Sequence, residues 1–178
     1  MSEKKNDFDL EVLGPALAER AEKGQDYIAA PLAMQGKLFG FIAREIIERF
    51  GEEGREAVIE AVKRFGEERG RRLAQAVKSE GREPSFASFL VCSDLDTSYH
   101  EMVPHIEEGA VRVEISYCPF AEACKEWDVE KYGKLFCEYI DGAIMRVYNP
   151  ERYETICEQN LTDGAETCVI VYKFKEED

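Results

Sequence analysis

AVRVEISYCPF, residues 110–120, alternates cleanly and then stops. Successive strand side chains point to opposite faces. Val111, Val113, Ile115 and Tyr117 therefore share one face, and Arg112, Glu114, Ser116 and Cys118 share the other. Pro119 cannot donate to a ladder but suits the first turn of a helix, so Cys118-Pro119 is predicted to end the strand and open a short helix to Trp127. Just upstream, residues 99–106 read as a second strand, with Glu107-Glu108-Gly109 as the hairpin turn between the two. Downstream, a longer helix is predicted over 129–148, stopped by Asn149-Pro150. Two last strands, near 152–159 and 166–175, are joined through Leu161-Thr162-Asp163-Gly164, where Asp-Gly favours a turn.

Residues 1–80 have a different character. Gly14-Pro15 is predicted to start a short helix. A second helix covers 32–50, with Leu38, Phe41, Ile42, Ile46 and Phe50 at helical spacing. A third covers 52–79, with Val58, Ile59, Val62, Phe65, Leu73 and Val77 on one side and Glu and Arg on the other. Gly81 and Pro84 end this half, and the mixed apolar run Phe86 to Leu95 carries a strand signal. The expected fold class is α+β. One domain spans 1–178, in which an N-terminal helical layer (1–80) packs on a mostly antiparallel sheet with inserted helices (85–178).

The chain has 178 residues, 44% apolar and 34% charged, with a formal net charge of −14. That is ample for one core, and so acidic a surface disfavours nucleic acid and anionic lipid as partners. No run is long and apolar enough for a bilayer span, and the opening MSEKKNDFDLEVL lacks the apolar stretch of a signal peptide. The expectation is a cytoplasmic protein with a small-molecule partner, whose six cysteines are thiols; a homo-oligomer is compatible with it. Cys92, Cys118, Cys124, Cys137, Cys157 and Cys168 form no CxxC, and only His100 and His105 accompany them. Neither a zinc site nor an iron–sulfur cluster is expected, and no cofactor is.

Cys118 is the first candidate for chemistry. At a strand exit, directly before a helix, its thiol would face unpaired N–H groups, which favour thiolate; it could equally be a small residue filling a tight turn. Cys137 and Asp141 are one helical turn apart. They border the apolar side of the long helix (Phe136, Tyr139, Ile140, Ala143, Val147), opposite Lys131, Lys134 and Glu138. An acid beside a thiol could orient it or take its proton; both could also be ordinary helix-surface residues. Cys124 and Cys168 read as packing residues. His100, near Glu101 or Glu114, could serve as a base or contact substrate together with Glu114. Arg112 and Arg146 could clamp a carboxylate.

Taken together, Cys118-Pro119, Cys137 with Asp141, Asn149-Pro150, Leu161-x-x-Gly164 and Cys168 resemble the L-2-amino-thiazoline-4-carboxylic acid hydrolase family over residues 108–175. A looser similarity reaches ligand-binding domains of the vinyl-reductase type. The first resemblance implies hydrolytic opening of a 2-amino-thiazoline ring to N-carbamoyl-L-cysteine. Cys118 or Cys137 would be the nucleophile, Asp141 would bind the amidinium or activate water, and Arg112 or Arg146 would hold the carboxylate. The alternative is a module that senses or binds a small ligand, metal or cofactor without chemistry.

Overall fold

The computed structural model describes residues 10–24 and 28–175. Residues 1–30 and 31–178 form separate compact units. In the first, helix α1 runs Leu10–Lys23 with Pro15 inside it, so it starts earlier than Gly14-Pro15 suggests. A proline this near a helix start removes a single backbone bond, and Lys23 pairs with Glu19 one turn back at 2.9 Å.

The second unit holds the remaining elements. Helix α2 spans Pro31–Ser79 and is broken at Gly51, whose φ of 64° and ψ of −137° are not helical. That backbone is open to glycine and strained for other residues. The two predicted helices, 32–50 and 52–79, are thus the arms of one bent element. Helix α3 is Phe86–Val91, where the apolar run suggested a strand. Ser85 caps it, its hydroxyl accepting the Ser88 N–H at 3.1 Å. Phe86 and Phe89, one turn apart, then pack together on Tyr172. A cap plus aromatic anchors at helical spacing outweighs β propensity over so short a run.

Strands β1 (Glu101–Glu107) and β2 (Ala110–Tyr117) make the predicted hairpin. Helices α4 (Pro119–Glu126) and α5 (Glu130–Tyr148) follow, then β3 (Tyr153–Gln159), a 3-10 turn (Leu161–Asp163) and β4 (Cys168–Phe174). The sheet is antiparallel throughout, in the order β1-β2-β4-β3. The α+β architecture therefore stands. Helix α5 lies on the sheet, and the arms of α2 pack on α4 and α5.

The arms approach closely because small residues face inward. Gly36, Gly40 and Ala43 are buried on the first arm, and Gly66 and Gly70 on the second. The large residues of the first arm turn outward instead. Leu38 is 63% exposed and Ile42 50%, and together with Val58, Ala61 and Phe65 they line an apolar groove of about 390 Å³. Leu38, Phe41, Ile42 and Phe50, which share helical spacing, thus lie on the exposed side. Backbone approach at glycines lets α4 and α5 reach the small-residue side, which then becomes the core side. The main cores centre on Val62, Val77, Ile144 and Tyr148, and on Ala43, Phe120, Val129 and Leu135.

Candidate active site

Cys118 joins β2 to α4. Its backbone is extended, and Pro119 takes the first helical position as predicted. The Sγ makes no capping hydrogen bond. It lies instead 3.6 Å from Nε2 of His100. Hairpin register brings the two together. From Met102 to Glu107 the pairing is regular, but a bulge between Glu101 and Met102 shifts it by one residue, so Glu101 opposes Tyr117. His100, next along, falls beside Cys118. A tight turn holds His100 from the other side, with its N–H donating to the Thr97 carbonyl at 3.0 Å.

Both members of the pair favour their neutral forms. Burial pushes the Cys118 thiol up, against the pull of the Ala121 and Phe120 amides, and the charges of Asp141 and Glu122 raise it further. This corrects the expectation of a thiolate. The helix N-terminus acts in the anticipated direction, but loss of water outweighs it. Burial likewise pulls His100 below the usual histidine range, opposed by the Thr97 carbonyl and Asp96. An uncharged thiol thus meets a neutral imidazole, which can take the thiol proton as the sulfur attacks.

Cys137 comes to the same interior. It and Cys118 pack against one cluster that includes Phe120, Cys124 and Leu135. Burial drives the Cys137 thiol well up, reinforced by the thiols of Cys118, Cys168 and Cys124 and opposed by Thr162. Cys124 is fully buried, as expected of a packing residue, and is pushed up to about 12, chiefly by burial. Asp141, one turn beyond Cys137, is raised by burial; Arg69 and the Tyr172 hydroxyl oppose this. That hydroxyl donates to Asp141 Oδ1 at 3.5 Å. Both Cys137 and Asp141 keep some contact with solvent, although neighbours crowd them closely enough for burial to dominate their ionisation.

The far wall is formed by β4 and the 3-10 turn. Cys168 packs with Ala121 and Leu161, and Cys118 packs against that group. The Leu161 N–H donates to Cys168 Sγ at 3.3 Å, and Cys168 donates to Asn160 Oδ1 at 3.6 Å. Among the described residues, three buried side-chain atoms have no hydrogen-bond partner: His100 Nδ1, Thr155 Oγ1 and Asn160 Nδ2. Two of the three touch this thiol group, and Thr155 lies further off. His100 meets Cys118, Asn160 meets Cys168, and Thr155 pairs across the sheet with Tyr172, which reaches Asp141. Buried polar atoms are nearly always paired; His100 has the Thr97 carbonyl close by, which leaves Asn160 Nδ2 as the buried donor beside the thiols with no acceptor. A cleft of about 560 Å³ lies on the far side of Thr162, lined by Arg55, Lys131 and Lys134 and by Asp128, Glu130 and Asp163, with no thiol in its wall. Thr162 is thus shared between this cleft and the surroundings of Cys137.

The other predicted contacts lie elsewhere. Arg112 opposes Val171 in the register, on the sheet face away from Tyr172. It bridges to Glu158 at 2.6 Å and to Glu107 at 3.1 Å. Glu114 meets His105 at 3.6 Å in the open. Arg146 reaches across to Glu67 on α2 at 2.7 Å. Sequence reading missed the Cys118–His100 pair and Asn160. The bulge hides the first. The Asn160-Leu161-Thr162 run, an asparagine opening a turn, was the available signal for the second. No group of three or more metal-binding side chains occurs among the described residues, and none of their helices is long and apolar enough to cross a membrane.

The model of the L-2-amino-thiazoline-4-carboxylic acid hydrolase family matches residues 32–172, nearly the whole second unit. The chain belongs to that family. The match extends the resemblance of residues 108–175 back through both arms of α2. No curated protein matches the chain. A solved structure similar to this hydrolase-family chain is trafficking protein particle complex subunit 3 from Naegleria fowleri, covalently bound to palmitic acid. It has 10% identity, covers 80% of this chain and 96% of its own, and has a TM-score of 0.45.

Proposed function

We propose that this protein hydrolyses a small cyclic amidine, 2-amino-thiazoline-4-carboxylate or a close relative, with Cys118 as nucleophile and His100 as its base. The observation that supports this reading most directly is the 3.6 Å contact between Cys118 Sγ and His100 Nε2.

Sγ attacks C2, the amidine carbon, and its proton passes to Nε2. The ring C2–S bond breaks, and the departing sulfur takes that proton from His100. Cys118 then carries an isothiourea. Water attacks C2 while His100 removes its proton. The C2–Sγ bond breaks, His100 returns the proton to Cys118, and N-carbamoyl-L-cysteine leaves. In this scheme Asp141, when ionised, holds the amidinium nitrogens. Cys137 shapes the floor of the site.

Ring opening frees a thiol on the product, so a colorimetric thiol reagent reads turnover directly. Cys118→Ala abolishes it, and His100→Ala lowers kcat/KM by about 10²–10⁴. Turnover that survives in Cys118→Ala overturns the nucleophile assignment. Tight binding of the amino-thiazoline without turnover by the unmodified protein favours the non-catalytic alternative.

A further inference from the structure

Asn160 is 6% exposed, and its carboxamide is half used. Oδ1 accepts from the Thr162 N–H at 3.0 Å, the Thr162 hydroxyl at 2.7 Å and the Cys168 thiol at 3.6 Å. Three donors on one oxygen fix the orientation, because a flipped amide would set its own N–H groups against them. Nδ2, with two hydrogens to give, is buried without a partner. Leaving a buried donor unmet is costly. Its oxygen alone would suffice to cap the turn, a task for which aspartate serves equally well.

Cations around the thiols are already engaged: Arg69, which acts on Asp141, is held by Asp94, and Lys134, in the cleft that shares Thr162, is held by Asp163. Arg112 and Arg146 are engaged by Glu158, Glu107 and Glu67 outside the thiol cluster. The thiols and Asp141 supply only neutral or anionic groups. Cys168 is bonded to Asn160 and shares a packed cluster with Cys118, so the amide and the nucleophile have a common neighbour.

We propose that the free Asn160 N–H donor recognises the carboxylate of a small anionic substrate next to Cys118, making Asn160 the residue that selects carboxylated rings over neutral ones. This rests on the hydrolase reading for the identity of the ring, but the donor itself can be tested without turnover.

Two variants separate donor from cap. Asn160→Asp keeps an acceptor for all three bonds and controls for folding, whereas Asn160→Ala removes the donor without adding charge. Alkylation of Cys118 is followed by peptide mass mapping with iodoacetate, which carries a carboxylate, and with iodoacetamide, its neutral analogue. The iodoacetate-to-iodoacetamide rate ratio falls about tenfold in both variants relative to the unmodified protein. In parallel, kcat/KM falls about tenfold more for 2-amino-thiazoline-4-carboxylate than for 2-amino-thiazoline. An unchanged alkylation ratio in Asn160→Ala overturns the proposal. If the unmodified protein turns over neither ring, the hydrolase reading fails alone, and the alkylation ratio still decides the role of Asn160.

Discussion

A thiol four bonds from its own helix N-terminus would ordinarily be read as a ready thiolate. In this protein the Cys118 environment keeps the proton on sulfur, and the Cys118–His100 pair is neutral on both sides. The active form needs an unprotonated imidazole. Because burial lowers the His100 pKa, that form persists further into acid than an exposed histidine would allow. In Asp141→Asn, where that carboxylate no longer titrates, the acid limb of kcat/KM for amino-thiazoline opening accordingly falls below pH 6.5, about the value for free histidine, and a limb above it contradicts the neutral pair. Asp141 works in the opposite direction for stability. Its folded pKa is raised, so the native state favours the protonated acid. That favourable term is fully present below the unfolded value, near pH 3.9, and is lost as pH rises through the folded value. Asp141→Asn removes the strain of a buried carboxylate and keeps an acceptor for Tyr172. At pH 7 it raises the melting temperature, by about 2–4 °C per kcal/mol recovered, while reducing turnover; the gain over the unmodified protein vanishes near pH 3. A lower melting temperature at pH 7 would show that Asp141 contributes stability as an ion.

At the scale of elements, glycines decide how α2 and α5 meet. A Cβ on Gly70 would strike the Ile144 carbonyl, and one on Gly66 would lie 2.7 Å from Ala143 Cβ. Gly142, on α5, has only the Thr155 carbonyl near, at 4.0 Å. The same chemical change therefore has opposite signs. Gly70→Ala forces two helix backbones apart and destabilises by about 1–3 kcal/mol. Gly142→Ala gains helix propensity, about 0.5–1 kcal/mol. Urea unfolding of the two variants checks both, and equal midpoints would refute close packing at Gly70. This is also where sequence reading reached its limit. The arms of α2, the hairpin, α4, α5 and the last two strands follow from periodicity, prolines and turn residues. The inward face of the first arm does not, because it is set by Gly36, Gly40 and Ala43 and not by the larger Leu38 and Ile42. The helix at Phe86–Val91 was hidden because its capping serine and two phenylalanines gain their force from tertiary partners.

Over the whole molecule, the candidate site draws on the loop before β1, the β2–α4 junction, α5 and the β3–β4 turn. Cys118, Cys137 and Asp141 were legible as candidates for one site through strand exit and helical spacing. Their meeting with His100 was not. A regular hairpin pairs His100 with Tyr117, and the single extra residue of the bulge moves it on to Cys118; one-residue offsets of this kind leave no periodic trace. The three unpartnered polar atoms were equally invisible, since satisfaction is a property of three-dimensional surroundings.

The strand order β1-β2-β4-β3 means that β4, translated after the other three, is an inner strand. While the chain is emerging from a ribosome, β2 and β3 each wait with an open edge, and no contact between them can stand in for the missing ribbon. Such long-range closure is slow and leaves edges exposed in the interval. The same late arrival carries Cys168 to the side of Cys118 and Tyr172 to Asp141, whereas the Cys118–His100 pair is already made by the β1–β2 hairpin. A partly folded chain would thus carry its reactive pair before the wall that encloses it.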